Sequence, residues 1–160
     1  MTIEQLQRIF PGATAETWHQ HPNGGGWIEN TAYVSRDALV CENALVAGKA
    51  WVDGNARVSG DARVAGDAWV SGNAQVFENA RVSGDARVAG DALLFGGAHV
   101  YENAHVDENA HVCENARVCE NALVSGHAHV SGGAWVFGGA HVYENAHVSG
   151  DAWVDGEVDG

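Results

Sequence analysis

One aliphatic residue recurs at every sixth position from Ile28 to Val154, twenty-two times without insertion or deletion. Twenty of these residues are Val, the others being Ile28 and Leu94, and Ala stands two residues earlier in every tile except the first, where Gly26 takes its place. A period this short and this strict is the mark of a solenoid, in which each repeat packs on its neighbours and stability is largely a nearest-neighbour sum.

In extended chain, alternate side chains point to opposite sides, so Ala and Val share an inner face and the residue between them points out. Each tile is therefore a short strand. A helix is excluded because positions two and four apart share no 3.6-residue face, and because Val favours strands. Three residues after most of the Val positions stands Asn, Asp or Gly, as at Asn43, Asn55, Asp61, Asp67, Asn73 and Gly97. These types accept positive φ most readily, which makes them the expected corners. Gly or Glu precedes them, as at Gly60 and Glu102, keeping the turn small or placing a charge in solvent. Strand and corner, repeated, predict a parallel β-helix whose coils pair at about 4.8 Å.

The run Val58-Ser59-Gly60-Asp61-Ala62-Arg63-Val64 resembles the hexapeptide repeat of single-stranded left-handed parallel β-helix proteins, and the likeness extends over about residues 26–157. It is closest in character to the uninterrupted, low-complexity bacterial and phage type, often labelled acyltransferases. The resemblance implies an all-β, three-sided solenoid of about seven left-handed coils, with residues eighteen apart stacked. The outward residues by themselves do not separate three sides from four.

Residues 1–25 are expected to form an N-terminal cap, and 26–160 the repeat domain. Thr2-Ile3-Glu4-Gln5 has the form of a capping box, and Ile3, Leu6, Ile9 and Phe10 give one apolar side to a short helix over residues 2–10 before Pro11-Gly12 stops it. This helix is expected to lie over the open first coil. A Gly-rich loop follows it, and the pair His19 and His21 there is expected to serve the cap rather than chemistry. Nothing resembling a cap follows the last tile; Asp151, Asp155, Glu157 and Asp159 are expected to defend its strand edges by charge.

The 160 residues carry 21 acids against 8 bases, a net charge of −13. That balance disfavours direct nucleic-acid binding, because phosphates are repelled. Neither a basic-then-apolar leader nor an apolar run long enough to span a bilayer is present, so cytoplasm is the expected compartment. Cys41, Cys113 and Cys119 are too far apart, or on different faces, to bridge, which suits reducing conditions.

Functional expectations come from the outward column. Trp51 is expected to stack on Trp69, and Trp135 on Trp153 with Phe137 beside them, as flat apolar strips that mark a protein interface or a homo-oligomer contact. Arg63, Arg81 and Arg117, with His99, are expected to line one face as a possible contact for an anion or an acidic partner, or else to be balanced by acids at the flanking corners. His111, His129 and His147 are expected in one column, without the ligand spacing of a zinc motif, so no metal is assigned.

The resemblance brings in trimeric acyltransferases and the γ-class carbonic anhydrases, yet the extruded loop and the histidine spacing those enzymes use are missing here, and no catalytic residue or cofactor is carried over. The expected function is a non-catalytic acidic scaffold or binding protein working through its aromatic faces. One alternative is a phage-type inhibitor whose acids, among them Asp67, Asp85, Glu102 and Glu120, imitate nucleic acid and block a host defence or DNA-processing protein. The other is an acyltransferase with an acetyl-CoA site between subunits.

Overall fold

The computed structural model describes all 160 residues. Every Ala-x-Val tile contributes a two-residue strand, and strands three tiles apart pair in parallel, so that Arg63 lies opposite Arg81 and Val64 opposite Val82. The strands sort into three sheets of nine, seven and eight members, which makes the solenoid three-sided with about seven turns. The first face carries outward Leu45, Arg63, Arg81, His99, Arg117, Trp135 and Trp153 in order. The second begins Tyr33, Trp51, Trp69, and the third ends His111, His129, His147.

The axis is filled as the period dictates. A single cluster of 39 buried residues holds the inner Ala and Val with Ile28 and Leu94, and no polar side chain enters it. Strand amides bond to the next coil, for example Arg63 N–H to the Ala80 carbonyl at 3.0 Å and Ala65 N–H to the Val82 carbonyl at 2.9 Å. Each coil thereby completes both the apolar packing and the backbone hydrogen bonding of the one before it.

The corners differ from expectation by one residue. Positive φ falls not on the Asn or Asp but on the Gly or Glu before it: twelve glycines of the repeat and seven glutamates, the latter with φ between 57° and 60°. Left-handed backbone costs a residue with a Cβ about 1–2 kcal/mol. Five of the seven glutamates recover stability through their carboxylates, which turn along the ridge to the backbone of the next coil. Glu42 accepts from Gly60 N–H at 2.6 Å, Glu78 from Gly96 at 2.8 Å, Glu102 from Glu120 at 2.8 Å and Glu114 from Gly132 at 2.6 Å. A hydrogen bond to a charged group contributes about 1.5–3 kcal/mol, enough to balance the strained φ. The Asn and Asp side chains build a second ladder beside this one, with Asn55 donating to Asn73 and Asn73 to Asp91.

The N-terminal helix α1 (Ile3–Ile9) has the capping box that the sequence indicates, Thr2 and Gln5 bonding reciprocally. Its position corrects the expectation of a lid on the open coil. Leu6 packs with Ala13, Trp18, Leu45 and Ala47, a cluster separate from the axial core, so α1 lies along the outside of the first face. Outward Leu45 is only 2% exposed as a result. Strand β1 (Trp18–Gln20) pairs antiparallel with β2 (Trp27–Glu29) and extends the first sheet by one strand. The loop between them reaches the third face, where Gly25 bridges Cys41 and Gly26 N–H bonds the Val40 carbonyl at 2.8 Å. A methyl at Gly26 would stand 2.6 Å from Val40 Cγ1, which explains the one break in the Ala column.

At the opposite end the last coil is short. Val142 pairs with Val158 rather than with a residue eighteen positions on, and the final strands carry Trp153, His147 and Glu157 at the ends of the three sheets. No helix of the structure is long and apolar enough to cross a membrane.

Candidate functional site

The two aromatic pairs form as expected, but on different faces and near opposite ends. On the second face Tyr33, Trp51 and Trp69 occupy successive coils, with ring centroids 4.2 Å and 5.8 Å apart. They are 46%, 42% and 43% exposed. Trp51 is fixed by its indole N–H donating to Asp53 at 2.9 Å. The sequence reading had not joined Tyr33 to this ladder, though it stands eighteen residues before Trp51.

At the far end of the first face Trp135 meets Trp153 edge-on at 4.8 Å, and Phe137 completes the cluster at 5.9 Å from Trp153. Arg117 lies over the Trp135 ring at 5.4 Å, within reach of a cation–π attraction. The Trp135 indole N–H points at Cys119 Sγ, 3.2 Å away. Beneath it, burial first and then the Cys119 thiol push the Tyr101 hydroxyl up to about 12. Cys119, Glu120, Trp135, Phe137 and Trp153 together line a pocket of about 220 Å³. Trp153, in the last strand, is 69% exposed. A further aromatic pair escaped the sequence reading because it occupies the position after the inner aliphatic residue: Phe77 and Phe95 stack at 5.2 Å and 6°.

Arg63, Arg81, His99 and Arg117 stack in register on the first face, as expected. The acids on the corner before these residues are engaged elsewhere. Glu42 and Glu78, on the corner beside Arg63 and Arg81, give their carboxylates to backbone amides. Asp61 accepts from the Asn43 amide at 3.1 Å. The arginines therefore act on their neighbours: burial first, then Arg81 and Arg117, lowers His99 below its ordinary value of 6.5.

Asp67, Asp85, Glu102 and Glu120 all fall on the corner ridge between the first and second faces, where Asp67 N–H bonds the Gly84 carbonyl at 2.9 Å and Glu102 accepts from Glu120 N–H. Their role is at least partly internal, since one of the four carboxylates is spent on the backbone.

The histidine column also forms, with ring centroids at 4.6 Å between His111 and His129 and 5.6 Å between His129 and His147. No group of three or more His, Cys, Asp or Glu side chains is placed to hold a metal ion. Burial, then the neighbouring His111 and His147, lowers His129 below 6.5. A folded pKa below the unfolded one means that the unfolded chain takes up more protons. The stability contributed by His99 and His129 is thus full above the unfolded value and is lost as pH falls through their lowered folded values. Urea midpoints are expected to fall between pH 7.5 and pH 5, and to fall less in His129→Gln; a flat profile would remove this role. Asp107, raised by burial and with an oxygen lacking a hydrogen-bond partner, acts in the opposite sense in the more acidic range.

Both cap histidines make hydrogen bonds within the N-terminal segment. His19 Nδ1 bonds the Asn30 side chain at 2.7 Å, and His21, buried, bonds the Asn23 carbonyl at 3.1 Å. All three cysteines are free thiols.

A family model described as the YdcK beta solenoid repeat matches residues 56–72, 74–90 and 80–96. The first two segments begin eighteen residues apart, which is one turn of the structure. No curated protein matches the chain.

Proposed function

We propose that this protein is a non-catalytic, acidic β-solenoid scaffold that assembles with a second copy of itself, or with a protein partner, through its aromatic surfaces. The observation that carries this reading is the Tyr33–Trp51–Trp69 ladder, three large rings on successive coils, each more than two-fifths exposed. Flat strips of this kind are uncommon on a surface that remains in water, and Trp and Tyr are the residues on which interfaces most depend. The Trp135–Phe137–Trp153 cluster adds a second such surface at the far end, where edge strands also lack a partner.

Light scattering on the intact protein is expected to give a multiple of 16.8 kDa. Trp69→Lys or Trp135→Lys is expected to bring the mass to that of the monomer while the β-type circular dichroism is retained. A monomeric wild type, or an unchanged mass in both variants, would overturn self-assembly.

The alternatives draw less support. An acidic ridge imitating nucleic acid needs free carboxylates, and of the four acids named for that role Glu102 is tied to a backbone amide. The acyltransferase reading, which comes with the hexapeptide-repeat resemblance, requires a site built between subunits; acetyl-CoA titrated into the assembled protein without binding would leave it empty. Cytoplasm is the compartment proposed for a protein with three free thiols.

A further inference from the structure

We propose that the groove between α1 and the first face binds a small phosphate-bearing anion, with Arg8, Arg63 and Arg81 as its ligands. The groove encloses about 440 Å³, in the range of small-molecule sites. Gln5, Arg8 and Ile9 of the helix form one wall, Leu45, Arg63 and Arg81 the floor, and the corner residues Asn43, Asp61 and Asn79 the other wall.

Three features make this arrangement a site rather than a stretch of polar surface. Arg63 and Arg81 stand directly opposite each other in a parallel pair, where like charges destabilise unless something anionic lies between them. Of the acids on the flanking corners, Glu42 and Glu78 bond the Gly60 and Gly96 amides along one ridge, Asp67 and Asp85 stand on the other ridge outside the lining of the groove, and Asp61, held by Asn43, is the one carboxylate that lines it. Finally, α1 is fixed against Leu45 by its own apolar cluster, which brings Arg8 of its last turn to the same groove from the other side. Three guanidiniums face one carboxylate, a local charge opposite in sign to the chain's −13.

The chemistry of the ligand follows from that contrast. Guanidinium forks pair with phosphate oxygens two at a time and hold their charge at all physiological pH values. A long polyanion would place most of its phosphates against the acidic ridges outside the groove and be repelled. A compact phosphate ester or diphosphate is screened from those ridges beyond about 8 Å at physiological salt and feels mainly the groove. Ile9, on the exposed side of the helix, adds an apolar edge for the organic part of such a ligand. The site is independent of the aromatic assembly surfaces, so either can fail without the other.

Calorimetric titration of the full chain with pyrophosphate and with inorganic phosphate tests the assignment. Saturable binding is expected for pyrophosphate and weaker binding for phosphate, with Arg63→Gln and Arg8→Gln each weakening it about tenfold or more, as loss of one charge-assisted contact implies. Arg87→Gln, on the second face, is expected to leave binding unchanged. Thermal melts give a second readout: pyrophosphate should raise the Tm of the wild type and of Arg87→Gln but not of Arg63→Gln. Absence of binding at millimolar pyrophosphate, or an equal loss in Arg87→Gln, would overturn the proposal.

Discussion

Val100→Asp is expected to abolish cooperative folding of the solenoid, or to lower its stability by more than about 4 kcal/mol, because an unpaired carboxylate would enter a core that offers it no partner. Val100 is fully buried and sits mid-solenoid between Val82 and Val118. With each coil stabilised by its two neighbours, a failed coil at that point separates the structure into two short stacks rather than fraying one end. The outward neighbour supplies the control: Arg117→Asp changes an exposed residue on the adjacent, directly paired strand and should leave the urea midpoint within about 0.5 kcal/mol of wild type. Far-UV circular dichroism across a urea series distinguishes the two. Equal midpoints would mean that the Val column does not face the axis.

That prediction rests on the part of the architecture most legible in the sequence. Inward and outward sides follow from a two-residue alternation, and the alternation is unbroken from Ile28 to Val154. The number of sides was not legible from the residues, because the outward positions mix Trp, Arg, His and Leu with no period of their own; the resemblance carried it, and the pairing of Arg63 with Arg81 places it in the structure. The corner was misplaced by one residue for a physical reason. Asn and Asp tolerate positive φ well, so they attract the assignment, while a glutamate there is favoured when the next coil presents an amide, as Gly132 does to Glu114. Such a partner eighteen residues away is visible only once the stacking is known.

The candidate sites divide along the same line. Residues related by simple stacking, such as Trp51 with Trp69 or His111 with His129, were within reach of the sequence because they depend on the register alone. The Arg8, Arg63 and Arg81 groove was not, since it depends on where a helix outside the repeat comes to rest. A signal did exist: Leu45 is an apolar residue in an outward position, and the amphipathic helix needed a surface to cover. The loop to the first coil leaves more than one such surface within reach, and only packing decides between them.

Leu6→Asp is expected to release α1 from the first face while leaving the solenoid folded. Leu6 is fully buried among Trp18, Leu45 and Ala47, and a carboxylate there, with no cation in the cluster to receive it, costs several kcal/mol. A seven-residue helix has too few turns to persist in water without tertiary packing. Its loss should appear as reduced ellipticity at helical wavelengths and rapid proteolysis before Trp18. The axial core is a separate cluster, so the main unfolding transition should move far less than for Val100→Asp. Undocking also removes Arg8 and one wall of the groove, and pyrophosphate affinity should fall at least as far as in Arg8→Gln, although Arg63 and Arg81 keep their places. If the helix were lost and binding stayed intact, the anion would be held by the solenoid face alone; if helix and binding both survived, Leu6 would not be the residue that anchors the cap.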